Sequence, residues 1–225
     1  MILKLDERAL MEKRGKNLLR ISLLILLFLL QVFFTIYPTP FWIHLSVLST
    51  YLVTSSIVWI KIGESTSLIR RLNISGGGIL LLTYSILVGV LFIYTQNNFF
   101  QASLITGGSL ILPLFEELFF RVTILGSVFE GKPAFRTLSK SERLPFFKKA
   151  IIPIVTTSVA FALCHGDVIS ALLGVSSPTP GIVIIILIRA IFGWAVADLY
   201  LYNPGLTLPA SFHIAFNLIA VLISG

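Results

Sequence analysis

The sequence predicts an all-α fold: a polytopic transmembrane helical bundle of about seven spans, or eight if a re-entrant segment is counted, with its N-terminus in the cytoplasm. Three observations predict it. Apolar residues make up 56% of the 225 residues and charged residues only 12%, about half the charged share of an ordinary soluble domain. The mean hydropathy is +0.96. Several apolar runs reach the roughly 20 residues needed to cross the hydrocarbon layer. The same figures exclude a disordered chain, which needs low hydrophobicity and high charge.

The spans expected are about Leu18–Tyr37, Phe41–Ile60, Gly77–Tyr94, Ala102–Phe129, Ala150–His165 or beyond, Gly181–Tyr202 and Leu206–Ser224. Helix-breaking residues punctuate them. Pro38 and Pro40 separate the first two, Gly76–Gly78 open the third, and Asn203, Pro204 and Gly205 separate the last two. The basic segment before Leu18 leads into a long apolar run with no small-residue cleavage site, so it reads as a retained first span. The fifth span is short if it stops at His165. Either it continues through Val168–Val175, or the chain breaks at Gly166 and re-enters, which is tolerated where backbone lines a wet cavity. Residues 1–225 read as one integral-membrane domain. The expected location is the cell (plasma) membrane.

Fifteen of the seventeen cations lie in three segments: the N-terminus, Lys61–Arg71 and Glu130–Lys149. The connections Pro38–Pro40, Thr95–Gln101, Gly166–Pro180 and Asn203–Gly205 have none. The positive-inside rule therefore places the N-terminus in the cytoplasm and the C-terminus outside. This topology, with anionic lipid as a partner, accounts for the net charge of +7, and a nucleic-acid role is not needed. Glu130–Lys149 interleaves Pro133, Phe135, Leu144, Phe146 and Phe147 with cations. It reads equally as an amphipathic segment on the membrane surface or as a solvated loop. The single cysteine, Cys164, allows no intramolecular disulfide and reads as a small buried hydrophobe. His44 reads as interfacial.

Ionisable residues within the predicted spans carry the functional signal: Glu116, Glu117, Arg121, His165, Arg189, Asp198 and His213. A charge at the bilayer centre costs roughly 2.5–3.5 kcal/mol. The fourth span carries three, about 8–10 kcal/mol uncompensated, so they must face the bundle interior and find partners. Glu117 and Arg121 are four apart and share a face. Glu116 lies about 100° around the helix from Glu117 and needs a partner on another helix. His213 and Asn217 are four apart on the last span, as are Phe161 and His165 on the fifth. Arg189 and Asp198, nine apart, point to opposite faces of one helix and need partners elsewhere.

A carboxylate and a neutral imidazole converging on one water can take its proton. A second imidazole with an amide can hydrogen-bond a developing oxyanion. The set Glu116, Glu117, Arg121, His165, His213 and Asn217 thus contains the groups for peptide-bond hydrolysis without a covalent intermediate or cofactor. Glu116, His165 and His213 are also the residue types that bind a divalent metal such as zinc, although no His-Glu-x-x-His run is present. A proton- or metal-ion transporter or channel and a non-catalytic membrane immunity or scaffold protein are the other readings. No inverted repeat supports a transporter.

Three motifs in order, Glu116-Glu117-Leu118-Phe119-Phe120-Arg121, Phe161-Ala162-Leu163-Cys164-His165 and His213-Ile214-Ala215-Phe216-Asn217, resemble those of the CAAX prenyl protease and bacteriocin-processing (CPBP) family of intramembrane proteases. That family includes the type II Ras-converting CAAX endopeptidase. The stretch from Phe192-Gly193 through Tyr200 to Pro209 is similar to the family's glycine-bearing helix. The resemblance spans about Leu104–Leu222, the protease motif core. It implies a peptidase, of glutamic type or, alternatively, of metallo type, acting on a peptide or membrane-associated protein. By that likeness Glu116 and His165 would activate water, His213 and Asn217 would stabilise the oxyanion, and Glu117, held by Arg121, would support the site. Nothing in the sequence selects a prenylated substrate over a bacteriocin-like peptide.

Overall fold

The computed structural model describes residues 2–37, 39–63, 72, 76–174 and 181–224. All the regular elements among them are helical. They are α1 (Ile2–Ile36), α2 (Phe41–Ile62), α3 (Gly76–Tyr94), α4 (99–128), α5 (Lys140–Leu163), α6 (Gly166–Leu172), α7 (Ile182–Tyr202) and α8 (Thr207–Ser224), with a 3₁₀ turn at Phe135–Thr137. Five are long and apolar enough to cross a membrane: Met11–Ile36, Phe41–Ile62, Gly77–Tyr94, Lys140–Leu163 and Ile182–Tyr202. α8 is a shorter apolar helix, and α4 runs unbroken through 99–128. These are the seven expected spans, and the chain is an integral membrane protein. Most of the 61–71 connection lies outside the described residues, as do Pro38 and residues 175–180.

Burial has the polarity that lipid imposes. Leu80 (73% exposed), Ile191 (69%) and Ile223 (81%) point outward, while Glu117 and Arg121 are fully buried. Water would penalise both placements. Hydrocarbon favours the first, and in it the second is tolerated only between paired groups. The interior is filled by Leu27, Leu52, Phe119, Phe120 and Phe161 on one side and by Val122, Leu125, Ile154 and Ala197 on another.

α1 starts at Ile2, sixteen residues ahead of Leu18, and two further helices start early where a polar side chain caps them. α4 begins at Phe99, three residues ahead of Ala102, where Asn98 Oδ1 accepts the Phe100 N–H at 2.9 Å. α5 begins at Lys140, ten residues ahead of Ala150. There Glu142 accepts the Ser139 backbone N–H at 2.9 Å and its hydroxyl at 2.6 Å. Helix thus runs through Pro145 and Pro153, whose usual breaking effect the cap and the packing override. The 130–149 connection is mostly exposed and passes through a turn and the 3₁₀ segment into the first turns of α5. Its first part turns at Gly131 (φ 72), and Phe146 folds onto Phe129 and Phe135 at ring distances of 5.3 and 5.9 Å.

The fifth span does not continue past His165. α5 ends at Leu163, His165 is extended (φ −91, ψ 137), and α6 starts at Gly166. α6 buries Val168 and Ile169 and packs on α1 and α7. The expected continuation to Val175 ends outside the described residues. At the opposite end of the bundle, Leu206 N–H donates to Leu72 O at 3.0 Å. This joins two connections that the alternating weave puts on one side.

Candidate active site

α4 is the helix on which the site is built, and it is irregular on both sides of the glutamates. Ile105–Ile111 and Leu118–Leu125 are π-helical and flank the α-turn Leu112–Glu117. Pro113 supplies a reason for the first: it has no N–H to give the preceding turn and its ring crowds the carbonyl four residues back. Such bulges recur at functional sites because they free backbone groups. Here the Gly108 carbonyl accepts Asn217 Nδ2–H from α8 at 3.2 Å. In the second bulge, Thr123 Oγ1 donates to Leu118 O, five residues back, at 2.8 Å.

Glu117 sits at the centre of a dry cluster. Its Oε2 is 3.4 Å from Arg121 Nε, one turn on, with both side chains fully buried. The contact is an ion pair rather than an aligned hydrogen bond. Its Oε1 accepts His213 Nδ1–H at 2.8 Å. Arg121 Nη2 donates to the Gly193 carbonyl of α7 at 3.1 Å, and its guanidinium lies 5.0 Å from the Phe161 ring. Gly193 permits a close approach: a Cβ there would stand 3.2 Å from Ser158 Cα and 3.3 Å from Arg121 Nη2.

Glu116 faces the other way. Its Oε2 is 3.8 Å from His213 Nε2, so the partner it needs on another helix is the last-span histidine. It lines a cavity of about 280 Å³ together with Gly108, Phe161, His165, Arg189, His213 and Asn217, with Ile188, Phe192 and Phe216 on the apolar side. Ile188 is 52% exposed and Phe216 43%, so the cavity opens between α7 and α8 toward lipid. A second cavity of about 10 Å³ touches Glu116 and His165 together with Gln31 of α1. That is about the volume one water requires.

His165 is oriented by the break after α5. Its Nδ1 lies 2.7 Å from the Phe161 carbonyl, and a carbonyl only accepts. Nδ1 therefore carries the proton, and the neutral ring offers a lone pair at Nε2. Phe161, four residues back, packs edge-on against both imidazoles, at 4.7 Å from His165 and 5.6 Å from His213. All six side chains singled out in the sequence, Glu116, Glu117, Arg121, His165, His213 and Asn217, thus meet in one neighbourhood.

Arg189 finds Asp167 on α6, with Nη1 paired to Oδ1. Asp198 accepts the Trp194 indole N–H at 2.9 Å and lies elsewhere. His44 stacks on Phe34 at 4.2 Å, and Cys164 remains a free thiol. Sequence reading missed Gln31, Asp167, and the carbonyls of Gly108 and Gly193. Gln31, a buried polar residue in an apolar span, was the one with a visible signal. Among the described residues no three His, Cys, Asp or Glu side chains are grouped to hold a metal ion. Of the residues named for a metal, His213 gives Nδ1–H to Glu117 and turns Nε2 toward Glu116 at 3.8 Å.

A family model described as type II CAAX prenyl endopeptidase Rce1-like matches residues 97–219, which hold α4 to α7, most of α8 and all six side chains singled out in the sequence. No curated protein and no solved structure matches the chain.

Proposed function

We propose that this chain, which belongs to the type II CAAX prenyl endopeptidase Rce1-like family, hydrolyses a peptide bond of a membrane-associated protein or peptide with water activated by Glu116 and His165. Family membership makes it an intramembrane protease of the CAAX type and displaces the ion-transporter reading. The observation that carries the mechanism is the water-sized cavity bounded by both Glu116 and His165.

The steps follow from the donors and acceptors at hand. His165 Nε2, unprotonated because Nδ1–H is spent on Phe161 O, accepts a hydrogen bond from the water. The Glu116 carboxylate takes the proton as the water oxygen attacks the scissile carbonyl carbon. The tetrahedral oxyanion is met by the second Nδ2–H of Asn217, the first being held by Gly108 O, and by His213 Nε2 when that nitrogen is protonated. Glu117 fixes the His213 ring through Nδ1, and Arg121 neutralises Glu117. When the carbon–nitrogen bond breaks, Glu116 returns its proton to the leaving amine. Chain enters between α7 and α8, where the cavity wall is apolar and exposed. The expected substrate is therefore a segment already in or on the membrane; the membrane we propose is the plasma membrane.

Glu116→Ala tests this. New peptide termini found in membranes carrying the wild-type chain disappear with the variant, while the variant remains folded and inserted. Full cleavage by Glu116→Ala removes Glu116 from the mechanism. Separately, a metal-stripped preparation keeps its activity. Loss that zinc restores would replace this mechanism with a metal-assisted one.

A further inference from the structure

At the other end of α5 and α7 lies a cavity that shares no residue with the one around Glu116. It measures about 340 Å³, and its walls include Phe135, Phe146, Ala150, Ile154, Leu201 and Tyr202. Ala150, Ile154 and Leu201 are at most 5% exposed, so the floor is dry and apolar. The mouth is at the 130–149 connection, where the chain leaves the membrane. There cations outnumber acids, with Lys132, Arg136, Lys140, Arg143, Lys148 and Lys149 against Glu130 and Glu142. Lys140 and Arg143 fall on the face of α5 that carries Phe146, Phe147 and Ala150, one to two turns nearer water. The Arg143 guanidinium lies 5.5 Å over the Phe135 ring, and Arg136 follows Phe135 in the 3₁₀ turn. All three cations are exposed. Of the acids nearby, Glu142 is engaged by Ser139. Asp198 lines the cavity one turn deeper than Tyr202, with its Oδ2 taking the Trp194 indole N–H.

An apolar slot under a cationic collar, at the depth where acyl chains meet headgroups, matches one kind of occupant. We infer that this pocket binds a single anionic phospholipid of the leaflet facing the 130–149 connection, with an acyl chain between α5 and α7 and its phosphate against Arg136, Lys140 and Arg143. The charge supplies the preference: an uncharged lipid fills the slot equally well but gains nothing from three cations at its headgroup. The inference does not rest on the peptidase reading, and its test reads binding alone.

The full chain, purified from an equimolar mixture of phosphatidylglycerol and phosphatidylcholine, is examined by native mass spectrometry for retained lipid. One phosphatidylglycerol is retained in preference to phosphatidylcholine. The exposed-site variant R136Q/K140Q, which leaves the Arg143 Nε bond to Leu138 O intact, loses about fivefold of that preference per charge removed. Leu199→Trp, which fills the pocket from its wall, lowers retention of both lipids. Equal retention of the two lipids by the wild type, retention of neither, or a preference unchanged in R136Q/K140Q overturns the proposal.

Discussion

Glu116 and Glu117 are chemically identical neighbours, and the two sides of α4 give them opposite surroundings. Glu117 is fully buried between a guanidinium and an imidazole. Glu116 borders both cavities and has one partner at 3.8 Å. A dry carboxylate paired with a guanidinium and bonded to an imidazole holds other groups in place. One left beside open volume is available to move a proton. The difference teaches that burial and pairing, rather than residue type, set the two acids apart, and the proposed mechanism reads them as a supporting half and a working half.

The comparison can be broken most directly by exchanging amides for the two acids. Glu116→Gln keeps the shape and removes the base, so kcat falls by about 10³-fold while the melting temperature in detergent barely moves. Glu117→Gln shows the reverse balance: a marked loss of thermal stability, with activity lost in proportion to the folded fraction. Equal activity losses without unfolding in both variants would erase the distinction between the halves.

Next in size is the buried pair. Arg121→Met leaves Glu117 charged and dry, a change that costs about 3–5 kcal/mol in folded proteins. The double variant E117L/R121M removes both charges and recovers much of that loss, which thermal unfolding of the single and double variants measures. Asn217→Ala sharpens the working half instead. It removes one oxyanion donor, so kcat drops about 10²-fold with KM little changed, and the Gly108 carbonyl loses its partner at a stability cost of about 1 kcal/mol. The smallest effect is Gly193→Ala. The added methyl must push Ser158 and Arg121 by a few tenths of an ångström, costing about 1–3 kcal/mol, read as a lower melting temperature with near-normal turnover per folded molecule.

Much of this site was legible from spacing alone. Glu117 and Arg121, four apart, do pair. Glu116, displaced around the helix, does find its partner on another span. His213 and Asn217 do share a face. These relations depend on helix periodicity, which a short stretch of sequence carries. The helix starts at Phe99 and Lys140 were misjudged because hydropathy marks the apolar run, whereas a single Asn or a Ser–Glu pair decides where hydrogen bonding begins. The break after Cys164 had been one of two alternatives, since nothing local separates a continuing helix from one that ends and restarts.

By itself the sequence determined that the chain spans a membrane, roughly where, and which ionisable groups the lipid would force together. The cost of an unpaired charge in hydrocarbon is a property of the residues and needs no coordinates. Tertiary structure alone decided the surroundings each of those groups meets. The π-helical turns that expose Gly108, the close approach of Gly193 to Arg121, the Asp167–Arg189 pair and the arrival of Gln31 beside Glu116 all join residues tens of positions apart. Such contacts are set by how whole helices pack, and neither periodicity nor composition records them.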